Sequence, residues 1–200
     1  MSGGRRTALA CGIAGAAVAA AAPAVLGFPD GAPWEAAGGD GCVQCHFDAP
    51  PEEPSAALSI LGLPSAAAPG GRYALTVRLA DEDLVNAGFL LSAWVGTDGL
   101  GSLEAGRFEA NDEKVATSGA RARSSEKGSR PQTPGVAEWT VVWHAPASLD
   151  APIVFELWGN AGNDDKSPFG DTTHRRLFEV GVEPARPRAD YGERSLRTTE

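Results

Sequence analysis

Short apolar runs that alternate with polar residues constrain the fold of this chain more than any other feature. In the run Tyr73–Leu79 every second residue is apolar, which is the period of a half-buried β-strand. Further runs with strand composition are Ala57–Leu61, Phe89–Val95, Leu103–Ala110, Trp139–Trp143, Ile153–Trp158 and Arg175–Val182. Gly, Pro and Asn separate these runs, and no amphipathic helical pattern lies between them. The pattern predicts an all-β fold, an antiparallel immunoglobulin-like β-sandwich over residues 57–182.

Within this region the weak alternation of Leu103–Ala110 indicates an edge strand. Residues 111–135 are polar and predict a long surface loop with one short strand near Lys114–Thr117. Trp139 and Trp143 share a strand parity, so both are expected in the core. The basic residues of the loop are interpreted as solvated, with docking of a partner as the alternative: Arg121, Arg123, Lys127 and Arg130.

The two ends of the chain differ from the sandwich in composition. Arg5 and Arg6 precede an apolar run from Ala8 to Ala22 that is too short for a mature membrane span, and a small-residue cleavage motif follows. Residues 1–24 are therefore predicted to be a signal peptide, so the mature protein is expected to be exported, periplasmic or extracellular, without a membrane anchor. Residues 183–200 carry few large aliphatic side chains and predict a disordered tail.

Residues 25–56 form the irregular segment that carries the motif Cys42-Val43-Gln44-Cys45-His46. The pattern C-x-x-C-H is typical of c-type haem attachment, with thioethers at Cys42 and Cys45 and His46 as proximal ligand of the iron. Three prolines follow the motif and exclude a long helix. Phe28 and Trp34 are expected either to cover one face of the haem or to pack against the domain.

Three other interpretations of the cysteine pair remain open. A redox dithiol is expected beside a βαβ pattern, and none follows. A zinc site requires further ligands, yet the next histidine in the sequence is His144. A small structural disulfide between Cys42 and Cys45 is the third alternative. The remaining cysteine, Cys11, lies in the predicted signal peptide.

The distal haem ligand is not fixed by the sequence. Met1 is the only methionine and would leave with the signal, so a His/Met pair is excluded. His174 and His144 are the remaining histidines, and His174 is favoured because it follows a loop, whereas alternation points His144 towards solvent. The other alternative is that neither binds iron, which would leave a site open to a small ligand.

Charge and motifs limit the remaining functions. The chain has 26 acidic and 17 basic residues, a balance that argues against nucleic acid and is compatible with a basic redox partner. No hydrolase, nucleotide-binding or zinc-protease motif is present, so an enzyme is not expected. Oxygen donors in one loop are weighed as a calcium site and alternatively as turn residues: Asn160, Asn163, Asp164, Asp165 and Asp171.

The order of these features resembles a known family. The order of Gly27-Phe28-Pro29-Asp30, the C-x-x-C-H motif and the sandwich is similar to that of bacterial secreted Reeler-like domains. Asn160-Ala161-Gly162-Asn163 resembles the Asn-rich loop before the final strand of that family. The resemblance implies an extracytoplasmic Reeler-like sandwich with one covalent haem c. Relatives often carry a histidine in the central loop, where this chain has Val115–Gly119. The sequence thus predicts a monohaem c-type electron carrier or, alternatively, a secreted adhesion or ligand-binding module.

Overall fold

The computed structural model describes residues 31–96, 103–165, 167 and 169–183. The predicted signal peptide, Phe28 and all but the first residue of the predicted tail lie outside these residues. Ten strands are described: β1 (Leu58–Leu61), β2 (Ala66–Ala67), β3 (Arg72–Ala80), β4 (Asn86–Val95), β5 (Arg107–Ala110), β6 (Val115–Ser118), β7 (Arg121–Ser124), β8 (Val136–His144), β9 (Ile153–Gly162) and β10 (Thr172–Val182). Short 3-10 helices cover Trp34–Ala36, Gly41–Gln44 and Glu126–Gly128.

The strands form two sheets that pack face to face. One sheet has the order β1-β3-β8-β5 and the other the order β2-β10-β9-β4-β7-β6. Neighbouring strands are antiparallel except β2 and β10, which pair in parallel. The predicted all-β sandwich is confirmed, and β5 is an edge strand as its weak alternation predicted.

The core lies between the two sheets and follows the strand parity. Trp139 and Trp143 of β8 are fully buried, as predicted. The ring of Trp139 lies 4.8 Å from that of Phe89 on β4, and the ring of Trp143 lies 4.9 Å from that of Phe155 on β9. These contacts join the two sheets, and burial of such aromatic surface supplies much of the stabilisation of a small sandwich.

The prediction of a long surface loop over residues 111–135 was wrong in part. The short strand near Lys114–Thr117 is β6, but β7 follows it and pairs with the central strand β4. Ala122 faces the core while Arg121 and Arg123 lie on the other face, so the two arginines are sheet residues rather than part of a solvated loop. Small and basic residues concealed a strand whose long side chains pack through their aliphatic stems.

The outer face of the six-stranded sheet carries the N-terminal segment. Arg175, Trp158, Leu90 and Arg123 are opposite one another on β10, β9, β4 and β7, and so form one row across this face. The small apolar cluster formed here by Trp158 and Leu90 includes Ala36, Ala37 and Cys42. The segment is thus packed on the sheet. In the part of the chain that the structure describes, no helix is long and apolar enough to cross a membrane.

Candidate functional site

The C-x-x-C-H motif occupies one helical turn at the end of the second 3-10 helix. The carbonyl oxygen of Cys42 accepts hydrogen bonds from the backbone N–H groups of Cys45, at 3.2 Å, and His46, at 3.0 Å. Residues three and four apart lie on the same face of a helical turn. Residues 42–46 thus form one helical turn, in which Cys42 lies three residues before Cys45 and four before His46.

A glycine allows this turn to lie flat on the sheet. Gly41 has a φ of +56°, and a Cβ atom at this position would lie 2.2 Å from carbon atoms of the Trp158 indole. A positive φ is costly for any residue with a side chain, and the close approach leaves no space for one. Gly41 is thus required for the motif to pack directly on the Trp158 indole.

The two thiols have different environments, although both are free cysteines. Cys42 is 8% exposed, whereas Cys45 is half-buried. Burial, with a smaller contribution from the charge of Cys45, raises the pKa of the Cys42 thiol to about 12. Since the thiolate is the nucleophile, Cys42 is unreactive in the folded chain at neutral pH.

His46 lies against a carboxylate of the loop that joins β9 and β10. Its Nδ1 atom is 2.7 Å from Oδ2 of Asp171, and the two side chains are 28% and 6% exposed. The Nδ1–H direction is not aligned with this oxygen, so the contact is electrostatic rather than a formed hydrogen bond. Among the described residues the Nε2 atom of His46 has no hydrogen-bond partner.

The position of Asp171 is fixed by the loop and not by His46. Its Oδ1 accepts the backbone N–H of Asn163 at 3.1 Å, and its Oδ2 accepts the side-chain amide of Asn160 at 3.3 Å. The backbone N–H of Gly170 is in turn bonded to Asp48, two residues beyond the motif, at 2.7 Å. Two separate contacts therefore join the motif to the β9–β10 loop.

A buried ion pair holds the start of the segment on the sheet. Glu156 of β9 is fully buried, and one of its oxygens accepts the backbone N–H of Gly38 at 3.1 Å. The other oxygen is 2.9 Å from Nε and 2.8 Å from an Nη atom of Arg175, which also contacts Glu53 at 2.6 Å. Both ends of the segment are therefore bonded to one pair of side chains.

The arginines of the outer face also contact aromatic rings. The guanidinium carbon of Arg123 lies 4.2 Å from the centre of the Trp34 ring, and that of Arg175 lies 5.2 Å from the centre of the Trp158 ring. Arg123 also donates a hydrogen bond to the carbonyl oxygen of Ala32. Of the two positions weighed for Trp34, the structure shows the one in which it packs against the domain.

Beside the motif is an open depression with an exposed aromatic pair nearby. Its volume is about 430 Å³, and its lining includes Val43, Glu53, Trp158 and Arg175. Phe47, directly after the motif, forms an edge-to-face pair with Phe169 at 5.7 Å, and both rings are more than half exposed. Apolar surface of this kind is available to cover a ligand or a partner.

The structure does not bring His174 to the motif. His174 is opposite Gly159 on the inner face of the sheet and is 1% exposed, whereas the motif packs on the outer face. Its Nδ1 is 2.9 Å from Oγ of Ser55, and its Nε2 is 3.2 Å from Oδ2 of Asp81. Both ring nitrogens are thus occupied. Strand parity could have predicted this burial, because His174 and the buried Val180 are six positions apart and therefore lie on the same face of β10.

His144 is also remote from the motif. It ends β8 in the four-stranded sheet and, as alternation predicted, lies on the opposite side of the strand from the buried Trp143. Its Nε2 is 2.8 Å from Oε2 of Glu109 on the edge strand β5. The hydrogen bond from His144 lowers the pKa of Glu109, an effect that the charges of His144, Arg72 and Arg107 reinforce and desolvation opposes.

The residues weighed for calcium have other contacts. Asn163 and Asp165 accept backbone N–H groups within the loop, at 3.0 and 2.8 Å, as turn residues do. Asp164 is paired with Arg130 at 2.8 Å. No group of three or more His, Cys, Asp and Glu side chains that could hold a metal ion occurs within the described ranges.

No family model matches the chain, and no curated protein matches it. Solved structures with a similar arrangement include the Reelin-N domain of F-spondin (16% identity, TM-score 0.48, covering 71% of this chain and 97% of that one). A human F-spondin reeler domain is 18% identical, with a TM-score of 0.46 over 64% and 88% of the two chains. AvmM, which catalyses macrocyclization in alchivemycin A biosynthesis, is 13% identical, with a TM-score of 0.39 over 64% and 90%. At such low identities the likeness carries no conclusion about activity, ligand or partner.

Proposed function

We propose that this protein is an exported monohaem c-type cytochrome that transfers electrons outside the cytoplasm. Its haem c is attached through Cys42 and Cys45, and His46 is the proximal ligand. The observation that carries the proposal is the single helical turn in which the carbonyl of Cys42 accepts the backbone N–H groups of Cys45 and His46, with His46 against Asp171. Neither a dithiol nor a structural disulfide requires a histidine placed in this way.

The donor set fits the chemistry of the group. Two thiols three residues apart supply two thioether bonds, and an imidazole is a good axial ligand of haem iron. A ligating histidine almost always has its second ring nitrogen next to a carboxylate or carbonyl group. In His46 Nδ1 has that neighbour, and Nε2 remains as the ligating atom.

The residues of the chain have separate roles in this proposal. When bound, haem supplies a one-electron iron couple. Cys42 and Cys45 anchor the group, His46 ligates through Nε2, and the indole of Trp158 excludes water beneath the turn. Because Cys42 is buried in the packed segment, its thiol has to react before the segment closes on the sheet. Attachment therefore precedes the last step of folding.

The second axial position is not assigned to a histidine. His174 lies on the inner face of the sheet and His144 on the other sheet, and both have carboxylate contacts. If neither histidine ligated the iron, a bound haem would be able to take up a small ligand such as CO. The negative net charge of −9 favours a basic redox partner.

The test is the visible spectrum of the full chain exported together with a c-type maturation system. We expect a c-type α-band and a pyridine haemochrome of one haem per chain, which Cys42→Ala and Cys45→Ala each reduce or abolish. Cys11→Ala is the matched control, because Cys11 lies in the predicted signal peptide, and should leave the spectrum unchanged. A colourless protein whose mass shows only a disulfide would refute the cytochrome and favour the secreted adhesion or ligand-binding module.

A further inference from the structure

The contact between the β9–β10 loop and the motif carries a second inference, which rests on the proposed function. We infer that Asp171 is a positioning residue for His46 and lowers the reduction potential of the iron that His46 ligates. The loop residues first weighed for calcium then have another function. Two of them, Asn160 and Asn163, bond the carboxylate of a third, Asp171, which lies against the imidazole.

The contact between His46 and Asp171 is close and poorly screened by water. Nδ1 of His46 and Oδ2 of Asp171 are 2.7 Å apart, the separation of a charge-assisted hydrogen bond. Asp171 is only 6% exposed, so water screens its charge poorly. A carboxylate at this distance favours a proton on Nδ1 and thereby leaves the lone pair on Nε2.

The Asp171 carboxylate is held independently of the imidazole. The backbone of Asn163 and the side-chain amide of Asn160 bind its two oxygens, and both residues belong to β9 or the loop. His46 is held less firmly, since its Nδ1–H is not aligned with Asp171. A turn of the imidazole towards the fixed carboxylate would form the hydrogen bond without any change in the loop.

The contact with Asp171 also affects the iron that His46 ligates. A carboxylate that accepts the Nδ1–H bond raises the basicity of the imidazole as a ligand. A more basic ligand and a nearby negative charge both favour ferric over ferrous iron, so the reduction potential falls. Asp171 itself touches neither haem nor iron in this scheme, and its effect passes through His46.

A purely structural role for Asp171 makes different predictions. If the carboxylate only ties the loop to the motif, its loss would lower the stability of the protein but leave the potential and the imidazole tautomer unchanged. The test therefore measures these two quantities, together with the melting temperature as a check on folding.

The main variant is Asp171→Asn, which keeps an acceptor oxygen for Asn163 and removes the charge. Asp165→Asn is the matched control, because Asp165 is an exposed carboxylate of the same loop that contacts Ser167 and not His46. We expect the haem midpoint potential of the full chain to rise in Asp171→Asn and to stay at the wild-type value in Asp165→Asn.

The second measurement uses the wild-type full chain produced without haem, so it does not depend on whether a variant folds. We expect ¹⁵N NMR of neutral His46 to show the Nδ1–H tautomer. An unchanged potential in Asp171→Asn, or an Nε2–H tautomer in a protein that does attach haem, overturns the inference and leaves the cytochrome intact. A wild-type chain that attaches no haem overturns both.

Discussion

Glu156 offers the sharpest test of how the motif-bearing segment is held on the sheet. The change Glu156→Gln keeps the shape of the side chain but removes its charge. In the wild type this fully buried carboxylate accepts bonds from the Arg175 guanidinium at 2.9 Å and from the Gly38 backbone at 3.1 Å. After the change Glu53, which is exposed, is the one ionic partner that Arg175 retains among the described residues.

The size of the effect follows from burial. Removing one partner of a buried ion pair costs about 3–5 kcal/mol because the other charge is left uncompensated. Arg175 keeps Glu53 and a glutamine oxygen still accepts one bond, so we expect a smaller loss than this, about 2–3 kcal/mol in the free energy of unfolding. Glu138→Gln is the control, since Glu138 pairs with Arg78 at 3.3 Å on the surface and such pairs contribute about 0–1 kcal/mol.

The assay is equilibrium urea unfolding followed by tryptophan fluorescence, with the slope of the transition as a check on two-state behaviour. We expect a clear loss for Glu156→Gln and a near-wild-type midpoint for Glu138→Gln. Limited proteolysis should also cut residues 31–55 faster in the first variant. Equal midpoints for the two variants would refute the view that a buried charge, rather than apolar contact alone, fixes the segment.

Two further predictions concern ionisable side chains. In the haem-free protein, burial raises the pKa of the Cys42 thiol from 9.0 to about 12. At pH 8 Cys42 should therefore be alkylated about a thousandfold more slowly in the folded chain than in the urea-unfolded chain, from thiolate content alone; equal labelling of Cys42 in the two states in a peptide mass spectrum would contradict its burial. His144→Ala should raise the pKa of Glu109 in an NMR titration. Since the pKa of Glu109 is lowered in the wild type, the stabilisation by the Glu109–His144 pair is present above the pKa that Glu109 has in the unfolded chain, and it is lost as the pH falls through the pKa of Glu109 in the folded chain. An unchanged Glu109 titration in His144→Ala would exclude the hydrogen bond as the cause of the lowered pKa.

Periodicity predicted most of the sandwich because the large side chains record which face of a strand is buried. Tyr73–Leu79 and Trp139–Trp143 correspond to the centres of β3 and β8, which pair with each other. β7 was missed because its inner positions are small and its outer ones are arginines. Such a strand shows no apolar alternation, and only its pairing with β4 reveals it.

The candidate site could be predicted only in part. The motif itself identified Cys42, Cys45 and His46, since its spacing is local along the chain. The contacts that hold the segment come from positions more than one hundred residues away: Asp171 lies against His46, and Glu156 accepts the backbone N–H of Gly38. No local pattern links either carboxylate to the motif. The sequence contains one indication of such a partner. Glu156 lies inside the apolar run Ile153–Trp158, and a charge in a buried strand requires a partner.

The two faces of the six-stranded sheet have different structural roles. The inner face is the core of the sandwich, and it also buries His174 with its hydrogen-bond partners. The outer face binds the segment with Cys42 and Cys45, which apolar packing on Trp158 and the Glu156 ion pair hold in place. Strand parity thus excludes His174 from the motif however mobile the preceding loop is. The β9–β10 loop reaches the motif instead through Asp171, at the loop's end, so the contribution of this loop to the site is a carboxylate behind the imidazole and not a second histidine.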